Sequence, residues 1–140
     1  MAMPVISAFI AAIAIILQQS LMVAVGIHRT RTRVGVGIGN DATLERKVRR
    51  HGNLAENAAL FIATLALAEL CGVSKLLVGI FGSIFILSRI FHVLGFSSLA
   101  GSHLAEGSKA FLAMRAIGAF GTFLTGIALG FYLMFVLAQP

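Results

Sequence analysis

Four long apolar runs, separated by short polar stretches, occupy nearly the whole chain. They predict helices over residues 5–27, 44–71, 76–96 and 110–138. Each run is long enough for a helix to cross a bilayer, which takes roughly 20 mostly apolar residues. The first is interpreted as a retained span, because no basic residue precedes it and no small-residue cleavage site follows it. We therefore expect one all-α domain over residues 1–140, an integral membrane bundle of four transmembrane helices.

Composition supports a membrane environment. Hydrophobic residues make up 59% of the chain, charged residues only 11%, and the mean hydropathy is +0.98. An ordinary soluble domain carries about 25% charged residues. So few polar side chains cannot cover a surface that faces water, and lipid must supply much of the solvent.

The positions of the basic residues predict the orientation. Seven lie between the first run and the apolar part of the second, which begins at Leu54: Arg29, Arg31, Arg33, Arg46, Lys47, Arg49 and Arg50. Arg89, Lys109 and Arg115 flank the third connection, and Lys75 alone belongs to the second. The positive-inside rule then places the first and third connections in the cytoplasm and both termini outside. The formal charge of +6 indicates this topology and contact with anionic membrane lipid; nucleic-acid recognition motifs are absent.

Neither metal chemistry nor a protein thiol is expected. Cys71 is the single cysteine, and the four histidines do not have the spacing of a zinc site.

Gly118, Gly121, Gly126 and Gly130 predict close packing of the fourth helix against a neighbour, because small residues let membrane helices approach. Thr43 is the expected N-cap of the second helix.

A polar stripe follows the basic cluster in "LERKVRRHGNLAENAALF", residues 44–61. On a helical wheel Arg49, Asn53 and Glu56 share one face, whereas the neighbouring Arg46, Lys47 and Arg50 are typical of anchors at a membrane surface. Glu56 lies deeper in the apolar run. A carboxylate there is costly unless it faces protein and is paired, with Arg49 or an arginine of another helix as candidate partner.

The third and fourth runs add cations at the same end. Arg89, His92 and Phe96 share a helix face, and Arg115 enters the last run. Cations from three helices beside one deep acid suit an anionic ligand that also carries an ammonium group. A purely structural ion-pair network is the alternative.

These motifs resemble the MAPEG family, the membrane-associated proteins in eicosanoid and glutathione metabolism. The resemblance rests on "ERKVRRHGNLAENAALF", on "RVGVGIGND" before it, and on R-x-x-H-x-x-G-F from Arg89 to Phe96, and is strongest to small bacterial members. It implies a homotrimer in a bacterial inner membrane that binds glutathione between neighbouring subunits. Carried over to this chain, it implies glutathione contacts at Arg29, Arg49, Asn53, Glu56, Arg89 and His92, and Arg115 as the catalytic residue that stabilises the thiolate.

The implied activity is that of a glutathione transferase. Glutathione would be the co-substrate, without a metal, and its thiolate would attack lipophilic small molecules, with reduction of lipid hydroperoxides as a further reaction. Its two carboxylates suit guanidinium groups and its ammonium suits Glu56, while a nearby guanidinium raises the thiolate fraction of a thiol.

Two alternatives stay open. The first is a non-catalytic lipid-binding or scaffold member, which is favoured by Phe96, because the family often has tyrosine at that position. The chain also departs from the family at Ala58 and Ala59, which replace the proline that follows the family's glutamate. A small multidrug exporter would need an acid in the first run, which has none.

Overall fold

Four helices form the protein in a computed structural model that describes residues 3–98 and 108–139. Their bounds are α1 Val5–Thr32, α2 Ala42–Leu70, α3 Lys75–Gly95 and α4 Lys109–Leu137. All four are long and apolar enough to cross a membrane. The prediction of an all-α, four-helix membrane bundle is confirmed.

The first two helices are longer at the basic end than their apolar runs predict. α1 continues through polar residues to Thr32 and ends where Arg33 adopts a left-handed conformation, φ 56°. α2 begins at Ala42, because the Asp41 carboxylate accepts hydrogen bonds from the backbone N–H groups of Thr43 at 2.8 Å and Leu44 at 3.0 Å. The prediction of Thr43 as the N-cap of the second helix is therefore wrong, because Asp41 is the N-cap. A carboxylate placed two residues earlier satisfies the free N–H groups of the first turn.

The helices pack as two pairs around a common core. α1 packs mainly on α2, and α3 most extensively on α4. Phe61 of α2 and Phe85 of α3 stack at the centre, with 4.1 Å between ring centroids, and Ile10 and Leu129 bring α1 and α4 into the same cluster. Large apolar side chains remain exposed along the outside of all four helices, as expected of a surface that faces lipid.

Glycine determines how closely α3 and α4 approach. A Cβ at Gly95 would lie 2.5 Å from the backbone N of Arg115, and a Cβ at Gly118 would overlap the backbone of His92. The close packing predicted for Gly118 is therefore confirmed. Gly126 and Gly130 have open space where a Cβ would be, so the packing predicted for them is not made within the described residues.

The opposite end of the bundle is tied together by Glu69 near the end of α2. Its buried carboxylate accepts hydrogen bonds from the backbone N–H of Ile6 at 3.0 Å and of Ser7 at 2.7 Å, and from the Ser7 hydroxyl at 2.6 Å. Pro4, the residue before α1, makes no side-chain cap of its own. Glu69 thus caps α1 from another helix, where a negative charge also favours the helix dipole.

Candidate functional site

The predicted polar stripe lies on the surface of α2. Arg49 and Glu56 are exposed, and the Asn53 amide donates a hydrogen bond to the Arg49 carbonyl at 2.9 Å. The proposed ion pair between Arg49 and Glu56 is not formed, since no described residue lies within salt-bridge distance of either. The Glu56 side chain instead folds back along the helix, where a Cβ on Gly52 would lie 3.8 Å from its Oε1.

Glu56 stands at the polar end of a groove between α2 and α4. The groove encloses about 410 Å³ and is lined otherwise mostly by apolar groups, with Asn57 beside the carboxylate. Gly126 and Gly130 form part of its α4 wall, which explains the open space over both glycines. An apolar groove with one charged mouth can accommodate an amphipathic molecule.

Arg89 occupies a different environment, buried where three helices meet. Its guanidinium donates hydrogen bonds to the carbonyl of Gly118 at 2.9 Å and, more weakly, of Asn53 at 3.4 Å. Only 3% of the residue is exposed, and its Nε has no partner in the described part of the chain. No described carboxylate lies within 4.0 Å of Arg89. A buried cation without a counter-charge is costly, so a nearby anion would be favourable.

His92, Phe96 and Arg115 form a cluster at the crossing of α3 and α4. The His92 ring is buried and lies 5.3 Å from the ring of Phe96. The Arg115 guanidinium carbon lies 4.3 Å from the centre of the same Phe96 ring. The structure therefore brings together, at one end of one helix pair, the three residues that the sequence analysis placed on two helices.

The guanidinium of Arg29 binds the segment that connects α1 to α2. Its guanidinium donates to the carbonyls of Val34 at 3.2 Å, Gly35 at 3.3 Å and Gly37 at 2.9 Å. These bonds hold the segment between α1 and α2 against the end of α1. A glutathione contact at Arg29 would have to share the guanidinium with this segment or displace it.

A row of hydrogen-bonded polar side chains, which the sequence analysis did not predict, joins the end of α1 to the start of α2. The His28 Nε2 lies 2.7 Å from the Asp41 carboxylate, and Lys47 Nζ lies 3.1 Å from His28 Nδ1. The pKa of Asp41 is lowered first by the hydrogen bond to His28 and then by the backbone N–H of Leu44. Asp41 therefore fastens the end of α1 to the start of α2.

The predicted membrane anchor Arg46 also makes a tertiary contact. It donates to the carbonyl of Ser97, just after α3, at 3.3 Å, and to the Thr43 hydroxyl at 3.1 Å. The basic end of α2 is thus joined to both α1 and α3. Among the described residues, no group of three or more histidine, cysteine or acidic side chains could hold a metal ion.

Four apolar spans, with cations and the exposed acids Glu45 and Glu56 toward one end, define a multi-pass integral membrane protein with a candidate anion site. The chain belongs to the MAPEG family, whose family model matches residues 7–135. The resemblance found in the sequence is confirmed. Comparison with curated proteins found no match. Family membership supports a role in glutathione-related or eicosanoid metabolism.

Proposed function

We propose that the protein is a membrane-bound glutathione transferase that binds glutathione along the stripe of Arg49, Asn53 and Glu56. The observation that carries this proposal is the exposed carboxylate of Glu56, which has no ion-pair partner among the described residues. A charge in the apolar part of a membrane helix is costly, by up to about 2.5 to 3.5 kcal/mol at the helix centre on insertion scales. An ammonium group supplied by a ligand offsets this cost and explains why the acid is kept open.

The surrounding charges suit the rest of the ligand. Glutathione has two carboxylates, and guanidinium groups bind carboxylates with paired, charge-assisted hydrogen bonds. Arg49 is exposed on the same helix face as Glu56 and can reach one of them. Buried Arg89 has no described carboxylate within 4.0 Å, so its charge favours an anion beside it, even though its hydrogen bonds are directed at backbone carbonyls.

We further propose that the active form is a homotrimer. The groove between α2 and α4 is open on its outer side in one chain, and the charged mouth at Glu56 would meet lipid there. A neighbouring subunit that covers the groove would remove Glu56 from lipid and use the free surface at Gly126 and Gly130 for close packing. The glutathione site would then lie between subunits.

In this mechanism Arg115 stabilises the thiolate. Glutathione loses its thiol proton to water, and the guanidinium favours the resulting negative sulfur. The thiolate attacks a lipophilic electrophile that arrives through the bilayer and the apolar groove. A carbon–sulfur bond forms while the leaving group departs with its electron pair. With a lipid hydroperoxide, two glutathione molecules would instead be oxidised to a disulfide while the peroxide becomes an alcohol and water.

A non-catalytic, lipid-binding role is the second candidate, because Phe96 carries no hydroxyl to donate to a glutathione sulfur. Such a protein would hold a lipid in the groove that Glu56 heads without forming a thiolate.

The ultraviolet thiolate band distinguishes these roles when glutathione is added to the purified protein in detergent. We expect the wild type to show the band, Arg115→Ala to bind glutathione without it, and Glu56→Gln to bind at least about tenfold more weakly, as loss of a charge-assisted bond implies. Glu45→Gln is the matched control, since Glu45 is exposed on the same helix. A wild type that neither binds nor conjugates glutathione would refute the transferase. Unchanged affinity in Glu56→Gln would remove Glu56 from the site.

A further inference from the structure

The two hydroxyls that line the groove between α2 and α4 have already used their hydrogens. Thr64 lies on the α2 wall, and its hydroxyl donates to the Leu60 carbonyl at 2.9 Å. Thr122 lies on the α4 wall, and its hydroxyl donates to the Gly118 carbonyl at 2.8 Å. A hydroxyl has one hydrogen and two lone pairs. While each hydrogen is bound within its own helix, each oxygen can only accept a hydrogen bond from a ligand.

The mouth of the groove is also rich in acceptors. The ionised Glu56 carboxylate offers only lone pairs, and it has no ion-pair partner among the described residues. The Asn57 amide donates one hydrogen to the Asn53 carbonyl at 2.7 Å, which leaves its oxygen and one N–H for a ligand. No lysine, arginine or histidine is among the described residues that line the groove. A ligand therefore meets several acceptors and a single amide hydrogen.

Thr122 lies near this mouth. Arg89 donates to the carbonyls of both Asn53 and Gly118, so these two carbonyls lie at a similar depth in the bundle. Asn57 and Thr122 each follow one helical turn later, on helices that both run inward from the basic end. The two side chains therefore line opposite walls of the groove at about the same level.

This lining favours a neutral donor over an anion. A carboxylate at the mouth would lie beside the carboxylate of Glu56, and like charges placed side by side oppose binding. A hydroxyl in the same place donates its hydrogen and adds no charge. When the ammonium of glutathione occupies Glu56, as proposed, Thr122 still offers an acceptor. The rest of the groove is lined mostly by apolar side chains, which suit an alkyl tail.

We propose that the groove selects lipophilic electrophiles whose polar group is an uncharged hydrogen-bond donor, such as a hydroxyl beside the reactive carbon, over those that carry a carboxylate. The inference rests on the proposed transferase function, because glutathione supplies the attacking thiolate. A γ-hydroxy enal with a long alkyl tail has this chemistry. The thiolate adds to its β-carbon to form a carbon–sulfur bond, and the α-carbon takes a proton from water, so that no group leaves.

The first test measures binding to the purified protein in detergent without glutathione. Tritiated dodecane is displaced by dodecanol, by its methyl ether, which has no donor, or by dodecanoate at a pH where the acid is ionised. Comparison of variants cancels the partition of each ligand into micelles. We expect Thr122→Val to weaken dodecanol binding by about three- to tenfold, the effect of one hydrogen bond, and to leave the methyl ether and dodecane unchanged.

Thr125→Val is the matched control. Thr125 is buried on the same helix and donates to the Gly121 carbonyl at 2.6 Å, but it does not line the groove. Its replacement should leave all four affinities unchanged. Glu56→Gln tests the charge at the mouth, and it should improve dodecanoate binding relative to dodecanol by at least about threefold.

The second test is glutathione conjugation of a γ-hydroxy enal and of the matching enal without the hydroxyl. The readout is the ratio of their kcat/KM values, compared between variants so that the different intrinsic reactivities cancel. We expect Thr122→Val to lower this ratio by about three- to tenfold and Thr125→Val to leave it unchanged.

The outcomes separate the selectivity of the groove from the function beneath it. A wild type that conjugates neither enal and shows no thiolate band overturns the transferase and, with it, this substrate class. A wild type that conjugates both, while Thr122→Val changes neither dodecanol affinity nor the kcat/KM ratio, overturns only the selectivity. Equal changes in Thr122→Val and Thr125→Val overturn it as well. If valine at position 122 impairs folding, Glu56→Gln decides, because an unchanged ratio of dodecanoate to dodecanol affinity contradicts the proposal.

Discussion

Removing the charge of Glu69 should destabilise the protein without touching the proposed site. Glu69 holds α1 to α2 at the end of the bundle opposite the basic cluster. Three donors share its carboxylate: two on Oε2 from Ser7 and one on Oε1 from Ile6. In Glu69→Gln the remaining carbonyl oxygen can serve Ser7, but the amide NH₂ then faces the N–H of Ile6.

The size of the effect follows from these three bonds. An unpaired buried donor costs about 1 to 3 kcal/mol, and exchanging a charged acceptor for a neutral one weakens each remaining bond by roughly 1 kcal/mol. We expect Glu69→Gln to lower the free energy of unfolding by about 3 to 5 kcal/mol. Ser7→Ala loses only the hydroxyl bond, at 2.6 Å, and should cost about 1 to 2 kcal/mol.

The assay is reversible unfolding by sodium dodecyl sulfate in mixed micelles, followed by far-ultraviolet circular dichroism. Glu56→Gln is the control, because it makes the same chemical change on the same helix at an exposed carboxylate without an ion-pair partner among the described residues. Since it removes an unpaired charge, it should not lower the free energy of unfolding. Equal stabilities for Glu69→Gln and Glu56→Gln would refute the assignment of Glu69 as an interhelical cap.

Two further predictions concern the helix crossing and the α1–α2 connection. Gly118→Leu should destabilise the bundle strongly, because its side chain would enter the backbone of α3. Gly126→Leu should keep the four-helix fold and lose less stability, because the space at its Cβ is open within one chain and its side chain would meet only the proposed subunit contact. An equal loss of thermal stability in both variants would contradict this. The pKa of Asp41 is lower in the folded protein than in the unfolded chain, where a carboxyl has a pKa of about 3.9. The ionised carboxylate therefore stabilises the fold above that unfolded pKa, and this stabilisation is lost as the pH falls through the lower folded pKa. Acid titration of stability should therefore show a loss below about pH 4 that is smaller in Asp41→Asn, and an identical acid profile for both proteins would contradict it.

The sequence predicts the helices well because a chain in lipid must satisfy its backbone within each span. The contacts between helices are harder to predict from the sequence. Glu69 and Ser7 lie 62 positions apart, so their bond depends on how α1 packs on α2. A signal was nevertheless present: a lone carboxylate near the end of an apolar run needs a partner. The helix-face pattern grouped Arg89, His92 and Phe96, but nothing in it showed which residue of α4 lies over the ring.

The polar residues of this protein divide by whether the chain itself satisfies them. Arg29, Asp41 and Glu69 form hydrogen bonds with backbone groups or with a neighbouring side chain. Substitution of these residues should therefore lower mainly the stability of the protein. Arg49 and Glu56 make no ion pair with a described residue and remain exposed. An exposed carboxylate in the apolar part of a membrane helix, as at Glu56, is costly unless it gains a partner. If the proposed glutathione site supplies that partner, variants at these two positions should affect ligand affinity more than folding.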